Sequence, residues 1–212
     1  MRCNCVDVCG VFTLEKLYTS ALRDFLLLSR LKRMVHELCL EYRSKIIPHL
    51  AKKFSYFNKH QIPKLVKISL NVGFGLKSQN STFLKNSLAN LQLISSQKPV
   101  LTKAKVDNAG FKIKRKMILG AKITLRNANM FSFISTLLSE GLRKISDFKG
   151  FDSTKFDCQG NYNFSISDLS IFPELRNTEV DSSGGCNVSI VTTAKSSEES
   201  LSLLEKLGFN FN

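Results

Sequence analysis

Four short segments alternate apolar and polar residues with a period of two, and this pattern constrains the fold more than any other feature of the chain. They lie at residues 66–72, 121–125, 162–166 and 186–190. A period of two places successive side chains on opposite sides of a strand. Strands of a parallel sheet covered on both faces are apolar throughout, whereas these have one apolar and one polar face. The pattern predicts an antiparallel sheet with helices packed on one face, an α+β fold.

Between these strands the apolar residues recur at three and four, which predicts helices. One helix is expected from a Thr82 cap to about Ile94, with Leu84, Leu88 and Leu91 as its apolar face. A second is expected after Asn127 or Asn129. A third opens with the capping-box pair Ser196 and Glu199 and ends at Gly208. An earlier helical stretch, residues 35–53, contains Pro48, which is expected to end or kink it.

Residues 14–38 have the apolar spacing of an amphipathic helix and lie outside the strand-rich region. The segment suits an import presequence, a helix packed on the domain, or an extension bound to RNA or a neighbouring protein. Four acids between Glu15 and Glu41 weigh against a presequence, which is usually acid-poor. We therefore divide the chain into an N-terminal helical extension, residues 1–39, and one domain, residues 40–212. No apolar run approaches the roughly 20 residues that span a membrane, so no membrane partner is expected.

The positive charge is concentrated in the middle of the chain. The 31 basic and 17 acidic side chains give a net charge of +14. Residues 64–126 hold 13 of the basic residues and a single acid, Asp107. Such clustering is typical of an electrostatic footprint on a phosphate backbone.

The densest part of this region is residues 103–116, with the sequence KAKVDNAGFKIKRK. The turn-forming residues 107–110 are expected at the tip of a loop, with cations along its flanks. We call residues 103–117 the finger, since it can follow a groove of RNA. A nuclear import signal is the alternative, but here the cations alternate with apolar residues, which favours the finger.

The polar face of the predicted sheet carries hydroxyl, amide and cationic side chains and no aromatic residue. Such groups can bond phosphates and ribose hydroxyls, which suits folded RNA recognised by shape and backbone. A plain solvated face is the alternative, because half-exposed antiparallel sheets generally have polar outer faces.

Catalytic and metal-binding patterns are weak, so neither enzymatic activity nor a cofactor is expected. The three histidines precede residue 61, and Gly73-Phe74-Gly75 is not followed by the lysine of a phosphate-binding loop. Cys3, Cys5 and Cys9 with His36 form a weak zinc pattern, and we expect reduced cysteines without a metal.

Ordered strings along residues 40–212 resemble the bacterial and organellar form of the large-subunit ribosomal protein family L-five. They include KLVKISLNVGFG (64–75), SSQKPVLTKAK (95–105), AGFKIKRKMILGAKITLR (109–126), FDCQGNYNFSI (156–166) and VSIVTTAKSSEE (188–199). Ser96 stands where the family usually has glycine, and Ile118 where it usually has proline.

The resemblance implies a non-catalytic protein of the central protuberance that binds 5S rRNA and large-subunit rRNA and contacts neighbouring ribosomal proteins. The candidate RNA-binding residues are Lys67, Ser69, Asn71, Lys98, Lys103, Lys105, Lys122, Thr124 and Arg126. The resemblance also implies a loop that reaches the peptidyl-site tRNA, here Asp107, Asn108, Gly110, Lys112, Lys114, Arg115 and Lys116. A bridge to the small-subunit head is implied at Arg143, Lys144, Asp147 and Lys149.

The bacterial-type motifs and the composition typical of an AT-rich genome predict an organellar ribosome, with a mitochondrion placed ahead of a plastid. A free-standing RNA chaperone or regulator is the alternative function.

Overall fold

The computed structural model describes residues 38, 40–145, 148–175 and 185–212. The extension proposed for residues 1–39 therefore lies almost wholly outside the described residues. The three N-terminal cysteines and His36 also lie outside them, as does Asp147.

Five antiparallel strands form one sheet in the order β2-β3-β1-β5-β4. The strands are β1 (Leu65–Gly73), β2 (Val100–Lys103), β3 (Ile118–Leu125), β4 (Tyr162–Ile166) and β5 (Cys186–Thr192). Four of these strands match the alternating segments, which confirms the predicted sheet. The short edge strand β2 was not predicted, because its four residues show no alternation of buried and exposed side chains.

Four helices are longer than one turn and carry the labels α1 (Ile47–Lys53), α2 (Ser81–Ser95), α3 (Asn127–Thr136) and α4 (Ser197–Leu207). π-Helical turns extend α1 backwards over Tyr42–Ile46 and α3 forwards over Leu137–Gly141, and a short helix follows at Leu142–Lys144. Single 3-10 turns lie at Lys59–Gln61, Gly75–Gln79, Ser153–Lys155, Leu169–Ile171 and Pro173–Leu175.

The core lies between the helices and one face of the sheet. Ile68, Leu70 and Ile123 from the sheet belong to the same buried cluster as Ile134 and Leu203 from α3 and α4. The opposite face of the sheet has no helix over it among the described residues, and most of its side chains are partly or fully exposed. The predicted α+β arrangement with helices on one face is confirmed.

Aromatic rings close the core beneath the edge strand β4. The Phe151 ring lies 5.1 Å from the ring of Phe209, 5.3 Å from that of Phe164 and 6.0 Å from that of Tyr162. The last residues of the chain are held there, because the N–H of Phe151 donates to the carbonyl of Asn210 at 2.8 Å. This cluster ties the C-terminus to β4.

The N-terminal half of the helix set differs in detail from the sequence prediction. Pro48 does not end its helix: it occupies the first turn of α1, and the preceding π-helical turn is closed by Ile47 N–H donating to the carbonyl of Tyr42. Proline is tolerated in a first helical turn because its missing N–H has no partner to lose there. The helix α2 is capped by Asn80 and not by Thr82.

The apolar face predicted for α2 is also rotated. Its most buried positions include Ser87, Asn90, Leu91 and Ile94, whereas Leu84 and Leu88 are only half-buried. Spacing alone missed this face because two of its residues are polar. The capping of α4 follows the prediction: Ser196 Oγ accepts from the N–H of Glu199 at 3.4 Å, and Gly208 ends the helix with φ of +104°.

Candidate nucleic-acid interface

The register of the sheet aligns its polar residues into rows across the strands. One row crosses all five strands, because Lys122 pairs with Val100 and Asn71, Asn71 with Asn187, and Asn187 with Ser165. A second row joins Thr124, Ser69, Ser189 and Asn163. The described part of this face carries no aromatic side chain, as the sequence indicated.

The nine predicted RNA-binding residues are all at least partly exposed, but they do not form a single compact site. Ser69 and Asn71 of β1 lie directly opposite Thr124 and Lys122 of β3. Arg126 follows Leu125, the partner of Ile68, so it continues the same register beside Lys67. These six residues form one patch, which we call the β1–β3 patch.

The other three predicted cations lie along the edge strand β2. Lys103 is its last residue, while Lys98 precedes the strand and Lys105 follows it. Seven residues of nearly extended chain span roughly 23 Å, so Lys98 and Lys105 are at opposite ends of this edge. The predicted set is therefore a patch with a basic border, which matches a surface that follows a phosphate backbone better than a pocket for one group.

The finger is a hairpin closed by hydrogen bonds at three levels. At its base, Ala104 N–H donates to the carbonyl of Met117 at 2.8 Å, and its own carbonyl accepts from Lys116 N–H at 3.0 Å. In the middle, the carboxylate of Asp107 accepts from the backbone N–H of Arg115. Near the end, Asn108 and Ile113 exchange two backbone hydrogen bonds of 2.9 and 3.0 Å.

This pairing corrects the predicted position of the tip. Residues 107 and 108 lie in the paired stem, and the tip consists of residues 109–112. Lys112 is able to turn there because its φ is +53° and its N–H donates to the carbonyl of Ala109 at 3.1 Å. Sequence reasoning missed the shift because the residues between Asn108 and Ile113 are separated from their partners only by the fold.

The finger keeps its positive charge available to a partner. Its six cations, Lys103, Lys105, Lys112, Lys114, Arg115 and Lys116, are all exposed. None of them forms an ion pair with another described residue; the ion pairs recorded within the described ranges are Lys45–Glu41 and Lys155–Asp152. The only acid of the finger, Asp107, stabilises the stem through Arg115 N–H.

The residues predicted for the small-subunit bridge are only partly described. Arg143 and Lys144 end the short helix after α3, and both are exposed, as is Lys149. The carbonyl of Lys149 accepts a hydrogen bond from the Asn212 side chain. Burial raises the pKa of the Glu174 carboxyl, and the nearby charge of Lys144 acts in the opposite direction. The bridge assignment stays a prediction.

Two features that catalysis or metal binding would use are missing from the described ranges. They contain no cluster of three or more histidine, cysteine or acidic side chains. Burial raises the pKa of the Cys186 thiol to about 12, which leaves it protonated and unreactive at neutral pH. The part of the chain that the structure describes also has no helix of the length and apolarity needed to cross a bilayer.

Comparison with known proteins places this geometry in one family. The ribosomal protein L5 model matches residues 58–114, and the model of the C-terminus of the same ribosomal family matches residues 118–211. The chain is 42% identical over 171 residues to large ribosomal subunit protein uL5c of the alga Heterosigma akashiwo strain NIES-293, covering 81% of this chain and 94% of the relative.

Cyanobacterial relatives match to a similar extent. The large ribosomal subunit protein uL5 of Trichodesmium erythraeum is 43% identical over 170 residues, covering 80% of this chain and 94% of its own length. That of Microcystis aeruginosa is 42% identical over 178 residues, covering 84% and 99%. With 42–43% identity over four-fifths of its length, the chain belongs to the ribosomal protein L5 family, as a structural and non-enzymatic constituent of the large ribosomal subunit.

Proposed function

We propose that this protein binds 5S rRNA through the β1–β3 patch and its basic border, and that the finger contacts peptidyl-site tRNA. The observation that carries the proposal is the open polar face of the sheet, which continues into a hairpin with six unpaired, exposed cations. A solvated face with no partner would not need charge at this density beside it.

The chemistry of the β1–β3 patch favours contact with the RNA backbone. Ser69 and Thr124 supply hydroxyls and Asn71 supplies an amide, while Lys122 and Arg126 supply positive charge. Such groups bond phosphates and ribose 2′-hydroxyls, and no exposed ring is available on this face for stacking. The partner is thus a folded RNA recognised by its shape, as the 5S rRNA proposal requires.

The finger suits a second RNA contact at a distance from the first. Its hydrogen-bonded stem holds the tip away from the sheet, and Lys112 and Lys114 sit at or beside that tip. A contact with peptidyl-site tRNA must accept every tRNA species, so its charges act on backbone phosphates and not on base edges.

Further partners follow from the same proposal. Large-subunit rRNA and neighbouring proteins of the central protuberance surround the domain, and Arg143, Lys144 and Lys149 face the small-subunit head. We place the ribosome in an organelle. The composition favoured a mitochondrion, but the chloroplast-form and cyanobacterial relatives support a plastid instead. Membership of the family also favours a ribosomal component over the free-standing chaperone or regulator.

A matched pair of double variants tests the RNA surface. Lys67→Gln with Lys122→Gln removes two charges from the β1–β3 patch, and Lys195→Gln with Lys206→Gln removes two exposed charges from the acidic C-terminal third. If each patch lysine contacts one phosphate, the first variant lowers the slope of log K for 5S rRNA against log salt by roughly 1.4–1.8. The control leaves the slope unchanged. Equal effects of the two variants would contradict the assigned surface.

A further inference from the structure

An apolar groove lies between the tip of the finger and the 3-10 turn that follows β1. Its volume is about 340 Å³, at the small end of the range of ligand sites, and it is lined by Gly75, Leu76, Gly110, Phe111, Lys112 and Ile113. The Phe111 side chain is 69% exposed and that of Leu76 is 50% exposed. Two large apolar side chains thus face solvent together on the most basic part of the described chain.

Both walls of the groove are held in place by the backbone. The N–H of Phe74 donates to the carbonyl of Leu119 at 2.8 Å, which keeps the turn at Gly75 beside the start of β3. The tip that carries Phe111 is closed by the two hydrogen bonds between Asn108 and Ile113. The groove is therefore formed before a ligand arrives, which lowers the ordering cost of binding.

The charge around the groove selects the class of occupant. Lys112 lines it, and Lys77, Lys114, Arg115 and Lys116 are exposed nearby along the finger and the turn. The carboxylate of Asp107 is engaged by the Arg115 N–H. An apolar slot surrounded by cations complements a planar, uncharged ring attached to a phosphate chain.

We propose that the groove between Leu76 and Phe111 binds one unstacked nucleobase of an RNA strand, with the flanking phosphates at Lys112 and Lys114. The inference rests on the proposed RNA-binding function and adds a base contact to a surface that otherwise meets the backbone. Phe111 stacks on the face of the base, a contact that every nucleobase offers. The site therefore tolerates sequence variation in its RNA, as a finger that meets many RNA molecules must.

The test compares two oligonucleotides of equal charge on the full-length chain. One is octauridylate, and the other is an octamer with the same sugar–phosphate backbone and no bases. Octauridylate is expected to bind about 5-fold or more tightly, because stacking of one base on an aromatic ring corresponds to at least that factor. Phe111→Ala removes this preference, and Phe111→Tyr retains it because the ring remains.

Val106→Ala is the matched control, since Val106 is 75% exposed on the finger and does not line the groove. It should leave the preference for octauridylate unchanged. None of these variants changes the charge, so the salt dependence of binding stays that of the wild-type chain.

The outcomes separate the groove from the wider RNA surface. Equal, salt-dependent binding of both octamers by the wild-type chain overturns the nucleobase site and leaves the proposed function standing. No binding of either octamer, together with no binding of 5S rRNA, overturns both. If Phe111→Ala keeps the base preference but releases the chain from washed large subunits, the groove holds an apolar side chain of a neighbouring protein, and the nucleobase assignment is wrong.

Discussion

Gly73 and Gly120 lie directly opposite each other in β1 and β3, but only Gly73 has space for a side chain. A Cβ atom added to Gly120 would lie 2.5 Å from the carbonyl oxygen of Val72 and 3.1 Å from Oγ1 of Thr102, whereas one added to Gly73 meets nothing within 4 Å. The three strands that begin and end at the finger therefore meet at a position that only glycine fills.

We expect Gly120→Ala to lower the free energy of unfolding by about 1–3 kcal/mol, since the backbone of β1 has to shift. Gly73→Ala is the control and should change it by less than about 0.5 kcal/mol. Urea unfolding of the two variants measures the difference. Equal stability of both would contradict the close approach of β3 to β1.

Ser96 ends helix α2 in the left-handed region, with φ of 51° and ψ of 24°. This conformation costs a residue with a Cβ atom about 1–2 kcal/mol and costs glycine little. It gives a physical reason for the glycine that related sequences usually have there. Ser96→Gly is expected to raise the free energy of unfolding by up to about 1 kcal/mol, allowing for the greater freedom of glycine in the unfolded chain.

The control for Ser96 is Ser96→Ala, which keeps the Cβ atom and should give no gain. Both are read from the midpoint of urea unfolding. A larger gain from alanine than from glycine would show that the backbone at residue 96 is not left-handed in solution.

The thiols of Cys158 and Cys186 should differ in reactivity, because Cys158 is exposed and Cys186 is buried. At pH 8, a thiol reagent is expected to modify Cys158 quickly and Cys186 only after unfolding, and peptide mass mapping distinguishes the two. Folding raises the pKa of Cys186 from 9.0 to about 12. Its protonated form therefore stabilises the fold below about pH 9, and this contribution is lost as the pH rises towards 12.

Cys186→Val isolates that pH dependence, since valine cannot ionise. The difference in unfolding free energy between wild type and Cys186→Val should be constant below pH 8 and move in favour of the variant above pH 9. Rapid labelling of Cys186 in the folded protein would contradict its burial.

Local pattern carried most of the fold but not its long-range pairing. Alternation around Ile68, Ile123 and Val188 identified their strands, because one face of each is buried against helices. The strand β2 was missed since its position depends on pairing with β3, not on its own four residues. The buried face of α2 was misplaced for a related reason: Ser87 and Asn90 are polar, and only the tertiary structure buries them.

The candidate site was predicted as a set of residues and not as a geometry. The cations of the finger were evident from composition, but its tip was placed at residues 107–110 and not at 109–112. The carboxylate of Asp107 bonds to the N–H of Arg115 eight residues away, a contact that turn propensity does not reveal. The groove between Leu76 and Phe111 was likewise invisible, because it joins two loops that are 35 residues apart in the sequence.

Replacing the finger tip tests the separation between the two RNA contacts. An Asn-Gly turn in place of residues 109–112 preserves the paired Asn108 and Ile113, because two-residue hairpin turns suit such a pair. We expect 5S rRNA binding and subunit assembly to be nearly intact, and retention of peptidyl-site tRNA to weaken equally for different tRNA species. Filter binding of several tRNAs to variant ribosomes measures this. Loss of 5S rRNA binding with normal tRNA retention would assign the finger to the other RNA.

The most direct test of 5S rRNA binding through the basic middle of the chain is the salt dependence of the affinity of the full-length protein for purified 5S rRNA. If about 6–10 phosphates are contacted, raising the salt from 50 to 200 mM weakens binding by roughly 10³–10⁵-fold, by analogy with duplex DNA. The predicted result is a straight line of log K against log salt with a slope of that size. An affinity that does not change with salt would contradict an electrostatic RNA surface on the sheet face and the finger.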